Sequence, residues 1–599
     1  MNDAATATIA VRYLDQAFGD WVADRLVADP ESRDAARRLA TAVSLALDLK
    51  HTCLDLEKYP ALELPALDRL LDGLGAADVN ALPETTCTTE PGPAPLVRSP
   101  DGRRLWLQKY AGFEQRLVTR VRALAATTVP LTNTVIEALD RLYPDRDSDQ
   151  HAAVETALTR HMAVITGGPG TGKTWTVARL IALLLADAPV RRIGLAAPTG
   201  KAANRMMESL HKAVGADTAL LEVLGDNRLP DKATTLHALL GIGRHSPQPR
   251  HDARQPLPLD VLIVDEASMV DLPMMTRVFE ALPAGARLVL LGDRDQLASV
   301  EAGGVLAELC RSDSSMLYGD TPGPVAELKT NYRSTSAINA LAVAVNAGKA
   351  PAKALFENDA VRRLLIAPGE TDAWLDSASS HYEALTEAIS GTVTAHDLVA
   401  RLPAFQLLCA LREGPYGVNG LNSQLEQRFG GRFERRHGRP WQLEQQAWYP
   451  GLPVMVTAND HERRLYNGDV GLVLPVREAP ADPGTTGDGG WMIDPEHGEL
   501  RACFPGQATR AIRFAQMPAF ETAYALTVHK SQGSEYGHVV MVLPGDAERV
   551  ADNPVLTREL LYTGITRAAE RLDIHAGEGV LAAMVSRRTV RMSGLSRWQ

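Results

Sequence analysis

The run Ala163-Val164-Ile165-Thr166 passes directly into Gly167-Gly168-Pro169-Gly170-Thr171-Gly172-Lys173-Thr174, and then into an apolar helical stretch. Nothing else in the chain limits its fold so tightly. A short β-branched run reads as a buried strand. The glycines permit a tight turn whose backbone N–H groups face inward on phosphate oxygens. Lys173 is placed to reach β- and γ-phosphates, and the Thr174 hydroxyl to ligate Mg2+. The segment Trp175 to Ala186, with Val177, Leu180, Ile181, Leu183 and Leu184, predicts a helix whose N-terminus favours an anion. A glycine-rich turn ahead of a core helix is the plainer alternative. With strand, loop, Lys-Thr and helix all in register, a nucleoside triphosphate site is expected.

The chain has 599 residues, enough for several domains, and its 45% hydrophobic and 23% charged content predicts large cores. A net charge of −11 argues against a strongly basic protein that coats nucleic acid. It allows DNA to be gripped in a local groove. Five scattered cysteines without a CxxC pair indicate neither a zinc site nor a disulfide framework, and they fit reduced thiols in the cytoplasm. No signal peptide is expected at Met1 to Trp21. The longest apolar run, Leu180 to Ala186, falls far short of the roughly 20 residues that cross a bilayer. A cytoplasmic chain with no membrane association is expected.

Residues 1–140 read as a mainly helical docking domain, with a hairpin across Ser99-Pro100-Asp101-Gly102. Residues 141–330 alternate short apolar strands with amphipathic helices, as a doubly wound parallel sheet does. Residues 331–447 and 516–599 form a second α/β region. Residues 448–515, rich in short β-like runs and containing the Asn467-Gly468 hairpin signal, read as a small inserted β-barrel.

Three further clusters carry chemistry. The strand Val261 to Val264 delivers Asp265 and Glu266 to a sheet edge, Asp265 to hold Mg2+ and Glu266 to polarise an attacking water. The strand Leu288 to Leu291 ends at Gly292-Asp293-Arg294-Asp295-Gln296, where Gln296 either senses a γ-phosphate or makes an ordinary loop hydrogen bond. Other motifs follow in order: Gln150, Ala197-Pro198-Thr199-Gly200-Lys201, Thr235-Leu236-His237, Asn331-Tyr332-Arg333-Ser334, Thr527-Val528-His529-Lys530-Ser531-Gln532-Gly533-Ser534-Glu535 and Leu561-Tyr562-Thr563-Gly564-Ile565-Thr566-Arg567-Ala568.

With this ordered set, the chain resembles the superfamily-one helicases over most of residues 150 to 570. Leu407 to Val418, Gly451 to Val456 leading to Asn467-Gly468-Asp469-Val470-Gly471, and the early Cys53-Leu54-Asp55-Leu56 with Pro95-Leu96-Val97 narrow the resemblance to the RecD branch. That branch supplies the alpha subunit of exodeoxyribonuclease V. The resemblance implies two RecA-like motor domains, a helical amino-terminal domain and an SH3-like insert. It implies an ATP- and Mg2+-dependent 5′-to-3′ helicase, partnered by RecB-like and RecC-like subunits in double-strand break repair by homologous recombination.

Residue by residue, the resemblance gives Gln150 and Tyr332 to adenine, with a buried structural tyrosine as the alternative for Tyr332. It gives Lys173, Thr174 and Asp265 to triphosphate and Mg2+, and Glu266 to water. Arg333 and Arg567 become arginine fingers, or else ordinary salt bridges. Gly533 and Glu535 go to ribose or the γ-phosphate region. Pro198, Thr199, Thr235, His237, Thr527 and His529 go to DNA, or else to local caps and packing. A self-sufficient helicase of the same branch, and a nucleotide-binding docking subunit without motor action, are the competing functions.

Overall fold

The apolar run at 162–167 is buried on both faces. Met162 and Val164 pack toward the helices Gln108–Ala125 and Leu272–Ala281, whereas Ala163 and Ile165 pack toward Asp149–Thr159 and Lys173–Asp187. A strand covered on both sides must be apolar throughout rather than alternating. The computed structural model describes residues 10–598 apart from 63, 244–245, 247, 312–314, 319–322, 333–334, 368–369, 371–373, 390–393, 438–440, 444–445, 461, 479–489 and 507–508. The chain divides into two units, Met1–Tyr332 with Val590–Gln599, and Arg333–Thr589.

In the first unit, strands β1 (Met162–Gly167), β2 (Ile193–Ala197), β3 (Ala233–Thr235), β4 (Val261–Val264), β5 (Arg287–Gly292) and β6 (Val325–Leu328) form one sheet of order β6-β1-β5-β4-β2-β3. Every pairing is parallel. All the β-to-α turns of such a sheet emerge at one edge, which is where a doubly wound fold binds ligands.

Ahead of this sheet lie the helices Tyr13–Leu26 and Pro30–Asp48 and a small four-stranded sheet. Asp29 caps the second helix by accepting the Glu31 and Ser32 N–H groups, with Pro30 in the first turn. The expected hairpin is present. Leu96 pairs with Leu107 and Arg98 with Leu105, and Gly102 takes φ +70° in the turn.

The last segment, Val590 onward, belongs to the first unit, although residues to 599 were expected to complete the second motor domain. It closes over Glu114, whose buried carboxylate accepts from Trp106 Nε1 (2.9 Å), Trp598 Nε1 (2.9 Å), the Gly594 N–H (3.1 Å) and the Thr52 hydroxyl. Burial raises the Glu114 carboxyl above its ordinary range, and these donors oppose the rise. An amide in place of the carboxylate would turn an N–H₂ toward existing donors. Glu114→Gln is therefore expected to lose about 2–3 kcal/mol of stability, seen as a lower urea midpoint of the emission change from Trp106 and Trp598. An unchanged midpoint would show that the clasp contributes nothing.

The second unit contains β7 (Val361–Leu365), β8 (Phe405–Cys409), β9 (Ala525–Thr527), β10 (Tyr536–Val542) and β11 (Ala568–Ala576), all parallel, in the order β7-β11-β10-β8-β9. Phe405, Leu407 and Cys409 alternate inward beneath the helix Leu375–Ala388, against Tyr382 and Leu385. Between β8 and β9 in the chain lies an antiparallel sheet of six strands, from Pro453–Val456 to Phe520–Thr522. Pro453–Val456 pairs with Val470–Glu478 across the connection 457–469, so Asn467-Gly468 do not close the expected two-residue hairpin. They are the centre of a local turn at the end of that connection, closed by the Asp469 N–H on the Tyr466 carbonyl at 2.9 Å, with Gly468 at φ +91°. The last strand pairs with Pro453–Val456 and lies beyond the expected limit at 515.

Candidate functional site

The loop after β1 is built as its sequence demands. Gly170 and Gly172 take φ +79° and +83°, in the left-handed region where a side chain is costly. Thr171 Oγ1 donates to the Gly168 carbonyl at 2.8 Å and braces the turn. Lys173 is the first residue of the helix Lys173–Asp187, and its Nζ donates to the Gly167 and Gly168 carbonyls at 2.6 and 3.0 Å. The ammonium is thereby held over the loop formed by Gly167, Gly168, Pro169, Gly170, Thr171 and Gly172. Thr174 follows in the same first turn, half-buried.

Two segments clamp this loop within the first unit. Ser148 caps the helix Asp149–Thr159. From that helix, Gln150 Nε2 reaches the Thr171 carbonyl at 3.4 Å. The Asp149 carboxylate accepts the Lys329 and Thr330 N–H groups at 2.6 and 3.1 Å, steering the chain after β6 back across the loop. There Asn331 Nδ2 donates to the Pro169 carbonyl at 3.0 Å, and the Tyr332 N–H to that of Gly170 at 2.9 Å. The Tyr332 side chain is 65% exposed, so it is not a buried structural tyrosine. The clamp by Asp149 was not foreseen; Ser148-Asp149 ahead of Gln150 reads as an ordinary helix start.

The two acids emerge from β4 at the same sheet edge. The Asp265 N–H bonds the Ala196 carbonyl at 2.9 Å, continuing the ladder one residue past the strand. Burial pushes the Asp265 carboxyl up to about 6; the Glu266 charge adds to the rise, while the Glu266 N–H and the Lys173 charge oppose it. A carboxylate raised in this way is stabilised by a cation. The Thr174 hydroxyl and the Asp265 carboxylate are oxygen donors of the kind that Mg2+ takes. Glu266 adopts φ +51° and ψ +39°, and its N–H donates to Asp265 Oδ1 at 2.9 Å. A non-glycine residue in this region stores strain, and such strain gathers at functional sites.

Gln296 is 7% exposed, and its Nε2 donates to Asp293 Oδ2 at 3.1 Å. Asp293 also accepts the Asp295 N–H at 3.0 Å, and the Arg294 N–H bonds Thr166 Oγ1 at 3.2 Å. The turn after β5 is thus tied to the end of β1, where the phosphate loop begins.

Farther along the same edge, β2 and β3 end side by side, with Ala197 opposite Thr235. Thr199 caps the helix Gly200–Ala216 and Thr235 caps Leu236–Leu240, each hydroxyl accepting an N–H at 3.2 Å. Pro198 is half-buried and His237 exposed. The threonines are caps, as the plainer alternative had it, and caps at adjacent strand ends also bring helix N-termini together.

In the second unit, Thr527 closes β9 and its Oγ1 accepts the Lys530 N–H at 3.2 Å, with His529 between them. Gly533 takes φ +67° before Glu535. Arg567 is only 4% exposed; its Nε donates to the Thr563 carbonyl at 3.0 Å and its Nη1 to that of Ser534 at 3.1 Å. It joins the two motifs of this unit, the 527–535 turn and the helix Arg558–Ile565. Arg333 lies outside the described residues.

Comparison with known proteins follows this geometry. The AAA domain family model matches residues 150–302, and the UvrD-like helicase C-terminal domain model matches 522–574. The chain is 37% identical to RecBCD enzyme subunit RecD of Mycolicibacterium smegmatis, over 96% of each chain. It is 33% identical to the RecD subunit of Haemophilus influenzae, over 82% of this chain and 79% of that one. With the ATP-dependent RecD2 DNA helicase of Deinococcus radiodurans it shares 32% identity, over 78% of this chain and 54% of the relative.

Proposed function

The chain belongs to the RecD family, and from that premise we propose that it is an ATP-dependent 5′-to-3′ DNA helicase working as a motor subunit of a RecBCD-type heterotrimer. One observation carries the reading: Lys173, Asp265 and the strained Glu266 converge at the carboxyl edge of one parallel sheet. The similarity supports the subunit over the self-sufficient helicase, since it extends over 96% of a RecD subunit but only 54% of RecD2. In this reading residues 1–140 dock RecB-like and RecC-like partners, 448–515 form an SH3-like insert, and the chain works in the cytoplasm. Two RecA-like motor domains make up the remainder. The antiparallel sheet between β8 and β9 supports the insert.

Lys173 neutralises the β- and γ-phosphates of ATP. Thr174 and Asp265 hold Mg2+, which when bound offsets phosphate charge as it develops. Glu266 orients the attacking water and accepts its proton, and Gln296, on the turn tied to β1, senses the γ-phosphate. Tyr332 offers an exposed ring for the adenine, and Gln150 an amide. Arg333 and Arg567 supply cations to the transition state. Arg567 also fixes the Gly533–Glu535 turn through the Ser534 carbonyl. Pro198, Thr199, Thr235, His237, Thr527 and His529 hold single-stranded DNA through its backbone, a grip that reads no sequence and so permits translocation.

The test offers the full chain duplexes with either a 5′ or a 3′ single-stranded tail, with ATP and Mg2+. Unwinding only from the 5′ tail is expected. Unwinding only from the 3′ tail would overturn the polarity. DNA-stimulated hydrolysis without unwinding would assign movement to the assembled heterotrimer.

A further inference from the structure

The strands of the first sheet begin at the edge opposite the Lys173 loop, and a cavity of about 430 Å³ lies there. His161 immediately precedes β1, Arg191 stands two residues before β2, Asp260 immediately precedes β4, and Arg287 opens β5. These four bring polar groups to the cavity, and Val129 and Val190 give it apolar walls. Val190 is 90% exposed, so the cavity meets solvent on that side. None of the residues assigned above to nucleotide or DNA lines it.

The charges around this cavity do not cancel. Arg191 Nη2 pairs with Asp187 Oδ2 at 2.8 Å, and Asp187 Oδ1 accepts the Thr132 hydroxyl at 2.9 Å. Arg192 pairs with Asp260 at 2.8 Å, and its hydrogen bonds hold the Asp260 carboxyl down to about 2. Each carboxylate is thereby matched to one guanidinium. Arg287 is left over. It is half-buried, and among the described residues its side chain makes no hydrogen bond and no ion pair. Burial lowers its pKa from the ordinary value and the Arg191 charge adds to the fall, while Asp187 opposes it. A guanidinium carries five donors in a planar fork, and half-buried donors without an acceptor are costly. Water answers the donors but not the charge beside a second guanidinium. His161 Nδ1 donates to the Ala286 carbonyl at 3.2 Å, which fixes the ring in the wall.

A single surplus positive charge calls for a monoanion. The planar fork fits a carboxylate through two parallel N–H···O bonds. The cavity is larger than one carboxylate and falls within the roughly 300–1,000 Å³ of small-molecule sites. We propose that it binds a small organic carboxylate, with the carboxylate on the Arg287 guanidinium and an apolar body against Val129 and Val190. A phosphate dianion would instead leave excess negative charge beside Asp187 and Asp260. The ligand gathers the starts of β1, β2, β4 and β5 and leaves the opposite edge of the sheet untouched.

The test titrates the full chain by calorimetry with sodium benzoate, an anion on an apolar body, and with benzamide, inorganic phosphate and N-acetylglutamic acid α-amide. Benzoate is expected to bind at one saturable site, with benzamide and phosphate each weaker by about tenfold or more. Arg287→Met keeps the aliphatic stem but removes the fork and the charge, and should weaken benzoate by about tenfold or more. Without benzoate it should melt no lower than the unaltered chain, because no bond within the chain is lost. Benzoate should then raise the melting temperature of the unaltered chain only. No saturable benzoate binding, or equal binding by Arg287→Met, would overturn the proposal. Benzamide binding as tightly as benzoate would reduce the site to an apolar cavity, and phosphate binding more tightly would reject the monoanion; either overturns it. Tighter binding of N-acetylglutamic acid α-amide than of benzoate would overturn it in favour of an acidic side chain from a protein partner. A clear loss of stability in Arg287→Met would show that the guanidinium is held within the chain, and would overturn it as well.

Discussion

Lys173→Gln is expected to abolish measurable ATP turnover, with kcat lowered on the order of 10² to 10³ or more. Glutamine has nearly the length of lysine and a similar helix propensity, so the helix Lys173–Asp187 and the sheet beneath it are preserved. What is lost is one positive charge, held 2.6 and 3.0 Å from the Gly167 and Gly168 carbonyls on the loop proposed to hold the phosphates. A second effect works in the same direction. The Lys173 charge helps to lower the Asp265 carboxyl, which burial and Glu266 have raised to about 6. Without that charge Asp265 rises further and is a poorer anion for Mg2+ near neutral pH. Far-UV dichroism matching the unaltered chain, with hydrolysis lost in a DNA-stimulated assay, is the expected pair of results. Hydrolysis at the unaltered rate would refute the assignment of this loop.

Strand β1 was legible in the sequence because burial on both faces leaves it no polar residue before Thr166. The turn at Asn467-Gly468 was legible because a residue tolerant of positive φ favours a turn there, but the pairing partner of Val470–Glu478 was not, since a 13-residue connection separates it from Pro453–Val456. The strand Phe520–Thr522 was not. Three residues give no periodicity, and its partner Pro453–Val456 is remote in the chain. The clasp over Glu114 was hidden for the same reason. On its own helix, Glu114 is the lone acid and reads as an ordinary solvent-facing charge, and the donors Gly594 and Trp598 lie at the far end of the chain.

In the site, residue types suggested the chemistry proposed above, and the backbone supplied what types cannot. Thr199, Thr235 and Thr527 were readable either as caps or as phosphate contacts, and each accepts a backbone N–H three residues on. A hydroxyl that accepts keeps its own O–H to donate. The two roles are therefore compatible. Tyr332 was readable as buried or as a stacking ring, and only its 65% exposure decides between these. The left-handed conformation of Glu266 had no signal in the sequence at all, since nothing in Asp265-Glu266-Ala267 favours it locally.

Glu266→Gln is expected to lower kcat by roughly 10² to 10⁴, the range set by removal of a positioned general base, while ATP binding is kept or tightened. Gln retains the shape and the backbone N–H that donates to Asp265 Oδ1 at 2.9 Å, so the turn after β4 is unchanged. It removes the negative charge that helps to raise Asp265, leaving that carboxylate better able to accompany a triphosphate. An equilibrium ATP titration beside single-turnover hydrolysis separates the two effects. Unchanged hydrolysis would exclude Glu266 as the base. Glu266→Gly sharpens the distinction. At φ +51° a residue with a Cβ stores roughly 1–2 kcal/mol, which glycine releases. Glycine loses roughly 0.5–1 kcal/mol through its unfolded-state freedom. Glu266→Gly should therefore be as stable as the unaltered chain, or slightly more so, and hydrolyse as poorly as Glu266→Gln. A position where the catalytic side chain is the less stable choice is held by its chemistry and not by the fold, and a melt showing Glu266→Gly clearly less stable would argue the reverse.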